Sequence, residues 1–238
     1  MKLAKLATLV LAPLFLASVA FAAPMTVSNA SDNVTVVVNG KASALKAGAT
    51  IPVGATVKVA KGASARITLP DGTVVGLGEG ATFSVSSSTE EDGVTNTVAS
   101  LSGGAISVQT NLKKGSSIAI KTPAGTISGN KGVVSLSATT STVTVTATEG
   151  RWRVVSATGK ASALAAGQTA FLTKDSPNPA LRPATRAEKT QATQLLGEDL
   201  RTPVQAPVLA DPFEDVSVEG VDLNTHVDSQ VSENSPAL

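Results

Sequence analysis

The sequence ARITLPDGTVVGL, residues 65–77, decides the fold class of this chain. Two short segments with a two-residue period, 65–69 and 73–77, lie on either side of Pro70-Asp71-Gly72. Proline fixes the φ angle that begins a tight turn, and glycine supplies the positive φ that such turns require. The stretch therefore predicts a β-hairpin, in which Asp71 is expected to hydrogen-bond the backbone of its own turn.

The same pattern extends in both directions along the chain. Val34–Val38 ends in Asn39-Gly40, a strong hairpin-turn signal, and Thr56–Val59 alternates polar and apolar residues. Further strands are expected at Thr82–Ser86, Thr95–Leu101, Ala105–Gln109, Ser117–Thr122, Val133–Ser137, Thr142–Thr148, Arg151–Val155 and Thr169–Thr173, with turns that include Ser102–Gly104 and Glu149-Gly150. Because no crossover helices separate them, the prediction is an all-β domain of short strands, either a twisted solenoid-like fold or a sandwich.

One hexapeptide, Gly-Lys-Ala-Ser-Ala-Leu, occurs at both Gly40–Leu45 and Gly159–Leu164. Each copy continues with a similar segment that ends at Thr50 or Thr169. We expect residues 39–50 and 158–169 to form equivalent strand-turn-strand units, near one another, that close the domain.

The N-terminal residues have the three parts of a secretory signal peptide. Lys2 and Lys5 precede the apolar run Leu6–Phe21, and Ala20-Phe21-Ala22 fits a cleavage site. Cleavage after Ala22 would leave no integral membrane segment, whereas an uncleaved segment would serve as an anchor. The chain is therefore expected to be exported, either to the periplasm or to the cell surface and beyond.

Composition divides the rest of the chain into a basic domain and an acidic tail. Residues 23–182 contain 14 Lys/Arg and 8 Asp/Glu, whereas residues 183–238 contain 3 and 10. We assign residues 1–22 to the signal peptide, 34–175 to the β domain, 176–184 to a proline-rich linker, 185–197 to a short helix begun by a Thr185/Glu188 capping box, and 198–238 to a disordered acidic tail. The tail either stays solvated or folds back on the basic face of the domain and competes there with an acidic partner.

Reactive groups are scarce, so no catalytic, cofactor-binding or metal-binding residue is expected. The chain has no cysteine and no tyrosine, and its one histidine, His226, lies in the acidic tail. Glu90-Glu91-Asp92 could bind calcium through carboxylate oxygens, but a solvated loop is the simpler interpretation. Gly76-Xaa-Gly78-Xaa-Gly80 resembles a phosphate loop only weakly, because no helix N-terminus follows it.

Arg151, Trp152 and Arg153 form the candidate interaction surface. In a strand, the two arginines share one face and Trp152 takes the other. An inward Trp152 would fill the core, which is the favoured interpretation, whereas an outward one would be a docking hot spot. Lys113, Lys114 and Lys131 could extend a basic patch, although no motif indicates nucleic acid as the ligand.

Several of these motifs together resemble the FecR domain. The resemblance is carried, in order, by Leu45-Xaa2-Gly48-Xaa5-Gly54, Ala63–Thr73, Leu77-Gly78, Leu101–Val108, Ile120–Gly125, Val145–Trp152 and Leu164-Xaa2-Gly167-Gln168. The chain departs from the family pattern after the Thr-Pro segment, where Ser128–Gly132 stands in place of an Arg-Gly-Thr. The residues that precede the β domain are expected to be a signal peptide in place of the anti-sigma segment that family members controlling iron-uptake genes carry.

The resemblance implies a freestanding exported module that binds or assembles with an envelope protein and is not an enzyme. It implies no iron binding and no other cofactor. The partner and the oligomeric state are not indicated by the sequence. Two alternatives remain open: a structural or adhesive surface protein, and a carbohydrate-directed enzyme on a β scaffold, which would need two paired acids.

Overall fold

The computed structural model describes residues 23–176 and 178–197. The predicted signal peptide and the predicted acidic tail lie outside the described residues. The described part contains sixteen strands and one helix. In chain order they are β1 (Met25–Ala30), β2 (Val34–Val38), β3 (Lys41–Ala44), β4 (Thr50–Ile51), β5 (Thr56–Val59), β6 (Ala65–Thr68), β7 (Val74–Leu77), β8 (Thr82–Glu91), β9 (Val94–Asn111), β10 (Ser117–Thr122), β11 (Gly125–Gly129), β12 (Lys131–Ala138), β13 (Thr142–Ser156), β14 (Ala161–Ala165), β15 (Gln168–Thr173), β16 (Ala180–Pro183) and α1 (Arg186–Leu196).

The strands form two sheets of nine positions each. The first sheet has the order β4-β1-β6-β7-β9-β12-β13-β15-β16, and every neighbouring pair is antiparallel. The second has the order β3-β2-β5-β8-β9-β10-β11-β13-β14, in which only β9 and β10 run parallel. The prediction of an all-β fold is confirmed.

The long strands β9 and β13 belong to both sheets. The first half of β9 pairs with β8 and β10 in the second sheet, and its second half pairs with β7 and β12 in the first. Strand β13 passes from the first sheet to the second near Gly150. The turns predicted at Ser102–Gly104 and Glu149-Gly150 are therefore wrong. Glycine at these places allows a strand to bend into the other sheet without ending.

A single hydrophobic core contains the inward side chains of both sheets. Val75 pairs with Val108 and Leu77 with Ile106 in the first sheet, and all four are fully buried. The core consists mostly of Val, Ile, Leu and Ala, with Phe83 and Trp152 as its largest buried side chains. Small branched side chains fit the narrow space between two pleated surfaces.

Strands β1, β11 and β16 are among those that lie where none was predicted. Strand β1 pairs with β4 and β6 and buries Met25 and Val27. Strand β16 lies within the stretch predicted as a linker, 176–184, and that prediction is wrong for Ala180–Pro183, which pairs with β15. Proline is tolerated there because β16 is an edge strand whose outer side needs no hydrogen bond.

The predicted helix is present as α1, with Thr185 as its N-cap and the complete capping box with Glu188. It packs on the outer face of the first sheet and buries Ala192 and Leu196. A Cβ at Gly76 would collide with the backbone carbonyl of Leu195, so glycine in β7 is what permits the close approach. No helix in residues 23–176 and 178–197 is long and apolar enough to cross a membrane.

The repeated hexapeptide forms equivalent units in the two places. In each copy the hexapeptide supplies an edge strand of the second sheet, β3 or β14, and the chain then crosses to the first sheet. Gly48 and Gly167 have φ angles of 80° and 81°, and their N–H groups donate to Val27 and Ala147 of the first sheet, both at 2.8 Å. The expected proximity is wrong, because β3 and β14 are opposite edges of one sheet.

Candidate functional site

The candidate interaction surface lies on β13, close to one edge of the second sheet. Arg151 and Arg153 are exposed, and Trp152 between them is 1% exposed. The alternation follows from the pleat of the strand, which turns successive side chains to opposite faces. The favoured inward orientation of Trp152 is confirmed, and the outward orientation, on which a docking role for the ring depended, is not observed.

Trp152 is held from two sides in the core. Its Nε1–H donates to the carbonyl oxygen of Glu149 at 3.1 Å. A Cβ on Gly129 would lie 2.6 Å from Cε3 of the ring, so the ring packs directly against the β11 backbone. Gly129, within the segment Ser128–Gly132, thus leaves room for Trp152, and at Asn130 the chain passes from β11 to β12 of the other sheet.

The two arginines have small neighbours on the outer face of the sheet. Arg153 lies opposite Ser128 of β11 on one side and Ala163 of β14 on the other, and Arg151 lies opposite Ala165. Neither arginine forms an ion pair, since Arg182–Glu188 is the one pair present in the described part of the chain. Both arginines are therefore exposed, and no carboxylate of residues 23–176 or 178–197 is paired with either of them.

A groove of about 620 Å³ runs beside the arginines. Its lining combines Arg151 and Arg153 with small polar and apolar residues of β10, β11 and β14, among them Ser117, Ser128 and Ala163. A second depression of about 490 Å³ shares Asn130 and Arg151 with it and adds Lys131 and Glu149.

Other basic side chains lie near the groove. Lys113 and Lys114 are exposed in the turn before β10, where the Lys113 carbonyl accepts a hydrogen bond from the N–H of Ser116, a lining residue. Lys131 is exposed at the start of β12. Glu149 is the one acidic residue that lines the two depressions, so the rim is predominantly positive.

The other motifs singled out in the sequence have structural surroundings. Asp71 accepts a hydrogen bond from the N–H of Thr73 at 2.8 Å, which confirms its predicted role in the turn. Gly76 and Gly78 lie beneath α1 and form no loop around a phosphate. Glu90 and Glu91 end β8 at a hairpin tip, and residues 23–176 and 178–197 contain no group of three or more His, Cys, Asp or Glu suited to a metal.

Among residues 23–176 and 178–197, Glu188 is the acidic group whose pKa departs most from its ordinary value, and the sequence predicted only the capping-box part of its surroundings. Arg182 of β16 contacts both carboxylate oxygens, at 2.6 and 3.0 Å, and Thr185 donates through its N–H at 2.8 Å. The hydrogen bonds from Arg182 lower the pKa of Glu188 to about 2, burial opposes them, and Thr185 assists. The arrangement pins α1 to the edge strand β16, so we assign it to structure and not to chemistry.

Part of the β domain is similar to a known protein family. The family model described as FecR protein matches residues 55–153. Two crystal structures of a candidate anti-sigma factor from Parabacteroides distasonis are similar to the chain at 17% and 16% identity, with TM-scores of 0.47 and 0.48. Each match covers 54% of this chain and 59% of the other. No curated protein matches. The resemblance to the FecR domain predicted from the sequence motifs is therefore confirmed over residues 55–153.

Proposed function

We propose that this chain is an exported FecR module that binds a protein of the bacterial cell envelope and performs no catalysis. The observation that carries the proposal is the pair Arg151 and Arg153, two uncompensated cations that a rigid strand displays beside a groove. Arginine is enriched where proteins dock, and a rigid scaffold lowers the conformational entropy lost on binding.

Export is supported by the residues that precede the domain. The basic start, the apolar run to Phe21 and the Ala20-Phe21-Ala22 site have the order of a signal peptide. The absence of cysteine means that the fold needs no oxidative step, and the continuous core accounts for its stability.

A binding role in place of catalysis is supported by how the partly buried acids are used. The two carboxylate oxygens of Asp71 accept from the Thr73 N–H and the Thr97 hydroxyl, and Glu188 is held by Arg182 and Thr185. Each carboxylate is thus occupied by structural hydrogen bonds. The FecR family is regulatory and typically non-catalytic.

Site-specific photo-crosslinking in the intact envelope tests the proposal. A photoreactive residue at Ser117 would report on the groove, and the same residue at Lys58 would report on an exposed position elsewhere on the same sheet. We expect one envelope protein to be crosslinked from Ser117 and not from Lys58. A chain that stays in the cytoplasm, or crosslinks that are equal from both positions, would contradict the proposal.

A further inference from the structure

The backbone of the edge strand β14 has hydrogen-bonding groups directed away from the sheet. The N–H of Ser156 donates to the carbonyl of Lys160 at 2.9 Å, which fixes the phase of the β13–β14 ladder. Because inward and outward groups alternate along an antiparallel strand, the N–H and C=O of Ala161 and Ala163 are directed outward. The N–H of Ala165 is already taken by Gln168 Oε1 at 2.9 Å. Ala161 and Ala163 therefore offer a template for one more strand.

The side chains beside this edge would select the charge of an added strand. The outer face of β14 carries only the short side chains of alanine at positions 161, 163 and 165, and all three residues are exposed. An added strand would lie about 9.6 Å from β13, two strand spacings away. Arg151 and Arg153 can extend over the alanines, and glutamate side chains on the added strand can extend toward them. Carboxylates at alternate positions would meet the two guanidinium groups.

The opposite edge of the same sheet provides a comparison within the molecule. Strand β3 has the same Ala-Ser-Ala sequence, and the N–H of Leu45 donates to Val34 at 2.8 Å, so Ala42 and Ala44 are likewise directed outward. The neighbouring strands differ, however. Ala44 lies opposite Thr35 of β2, whereas the equivalent Ala163 lies opposite Arg153 of β13. The two edges thus share a backbone template and differ in the cations beside it.

We propose that the β14 edge binds an extended acidic segment of a partner protein as an additional strand. The backbone of the segment pairs with Ala161 and Ala163, and its alternate carboxylates contact Arg151 and Arg153. The edge strands of a second copy, β3, β4, β14 and β16, are a poorer match, since they contain Lys41 and Arg182 and no acidic residue. This inference rests on the proposed function and specifies the chemistry of the partner and the place where it binds.

Peptide binding to the full chain tests the inference. The probe is an eight-residue peptide that alternates glutamate with valine, and its counterpart has lysine in place of glutamate. We expect the glutamate peptide to bind at least about tenfold more tightly than the lysine peptide, as expected for desolvated charge-assisted contacts. Charge reversal of both arginines, R151E with R153E, should reverse that preference.

Two matched variants test the backbone pairing. Ala163→Pro removes an outward N–H at the proposed edge, and Ala44→Pro removes the equivalent N–H at the other edge. We expect Ala163→Pro to weaken the binding of the glutamate peptide about tenfold and Ala44→Pro to leave it unchanged. A glutamate peptide N-methylated at alternate residues tests the same pairing without altering the protein, and it should bind about tenfold more weakly as well.

Several results would overturn the inference. Equal affinity for the two peptides would remove the role of the arginines. Full binding of the N-methylated peptide would show attraction of charge without strand addition. Equal losses in Ala163→Pro and Ala44→Pro would remove the preference for β14. Oligomers of the full chain that both proline variants dissociate would identify a second copy as the occupant.

The photo-crosslinking experiment separates failure of this inference from failure of the proposed function. An envelope protein that is captured equally by the natural chain and by the R151E/R153E variant would support binding in the envelope, but it would reject the β14 edge and the two arginines as the binding site. Peptide binding as expected, with no envelope protein crosslinked, would support the edge chemistry and reject the function.

Discussion

The ring of Trp152 packs directly against the backbone of Gly129, where a Cβ would lie 2.6 Å from Cε3 of the ring. Gly129→Ala is therefore expected to destabilise the fold by about 1–3 kcal/mol, the cost of overpacking a filled core. Denaturant unfolding, followed by the fluorescence of the single tryptophan, measures the change. Gly103→Ala is the control, because the nearest atom to its added Cβ is 4.0 Å away. Equal effects of the two substitutions would contradict the prediction.

Gly76→Ala is expected to lift α1 from the first sheet while both sheets stay folded, because the added Cβ collides with the carbonyl of Leu195. Hydrogen exchange should accelerate in Arg186–Leu196 and stay slow in β7 and β9. If exchange remains slow in the helix, the sheet has shifted to accommodate the methyl group and the prediction is wrong.

The ion pair of Glu188 is expected to make stability depend on pH in the acid range. The pKa of Glu188 is about 2 in the folded chain and near 4.5 in the unfolded one. Between these values the unfolded state binds more protons, so the contribution is complete above about pH 4.5 and is lost as the pH falls toward 2. Urea unfolding of the natural chain and Glu188→Gln should differ by about 1 kcal/mol at pH 7, a modest value because Arg182 is 38% exposed. The difference should shrink below pH 4.5. A difference that is constant from pH 7 to pH 2.5 would contradict this explanation.

Asp71 is expected to couple the β6–β7 turn to the second sheet. Its carboxylate accepts from the Thr97 hydroxyl at 2.6 Å as well as from its own turn. Asp71→Ala should cost about 2 kcal/mol, and Thr97→Val should cost less because Asp71 keeps its turn hydrogen bond. A double-mutant cycle should give a coupling of about 1 kcal/mol, and additive effects would show that the contact contributes nothing.

Proline should be tolerated at Ala163 and not at Ser162. The N–H of Ala163 is directed away from β13, whereas that of Ser162 is directed into the ladder, one residue out of phase. Thermal unfolding should show a small change for Ala163→Pro and a loss of about 3 kcal/mol or more for Ser162→Pro. The reverse order would invalidate the phase assigned to β14.

The features that the sequence predicted correctly depend on local chemistry. The turns at Asn39-Gly40 and Pro70–Gly72 and the capping box of α1 are determined by residues adjacent in the chain. Trp152 also turned inward as favoured, because a strand that displays two arginines on one face must bury the residue between them.

The features that the sequence did not predict depend on distant partners. Strand β1 has only two buried apolar residues, Met25 and Val27, and its identity as a strand comes from β6, about forty residues later. Glycine at 103 and 150 is typical of turns, yet partners in two sheets keep each strand continuous there. The contact between Arg182 and Glu188 was not predicted, because it depends on the position of β16, which the sequence did not indicate. The groove was not predicted either, because residues of β10, β11, β13 and β14, which are distant in the sequence, form it together.

The passage of β9 and β13 from one sheet to the other has a mechanical consequence. A sandwich joined only by loops can shear, one layer sliding over the other while each keeps its own hydrogen bonds. Here two continuous strands are hydrogen-bonded into both layers, so a sliding motion would have to break ladders in both at once. The domain should therefore resist a stretching load as one body and rupture in a single step.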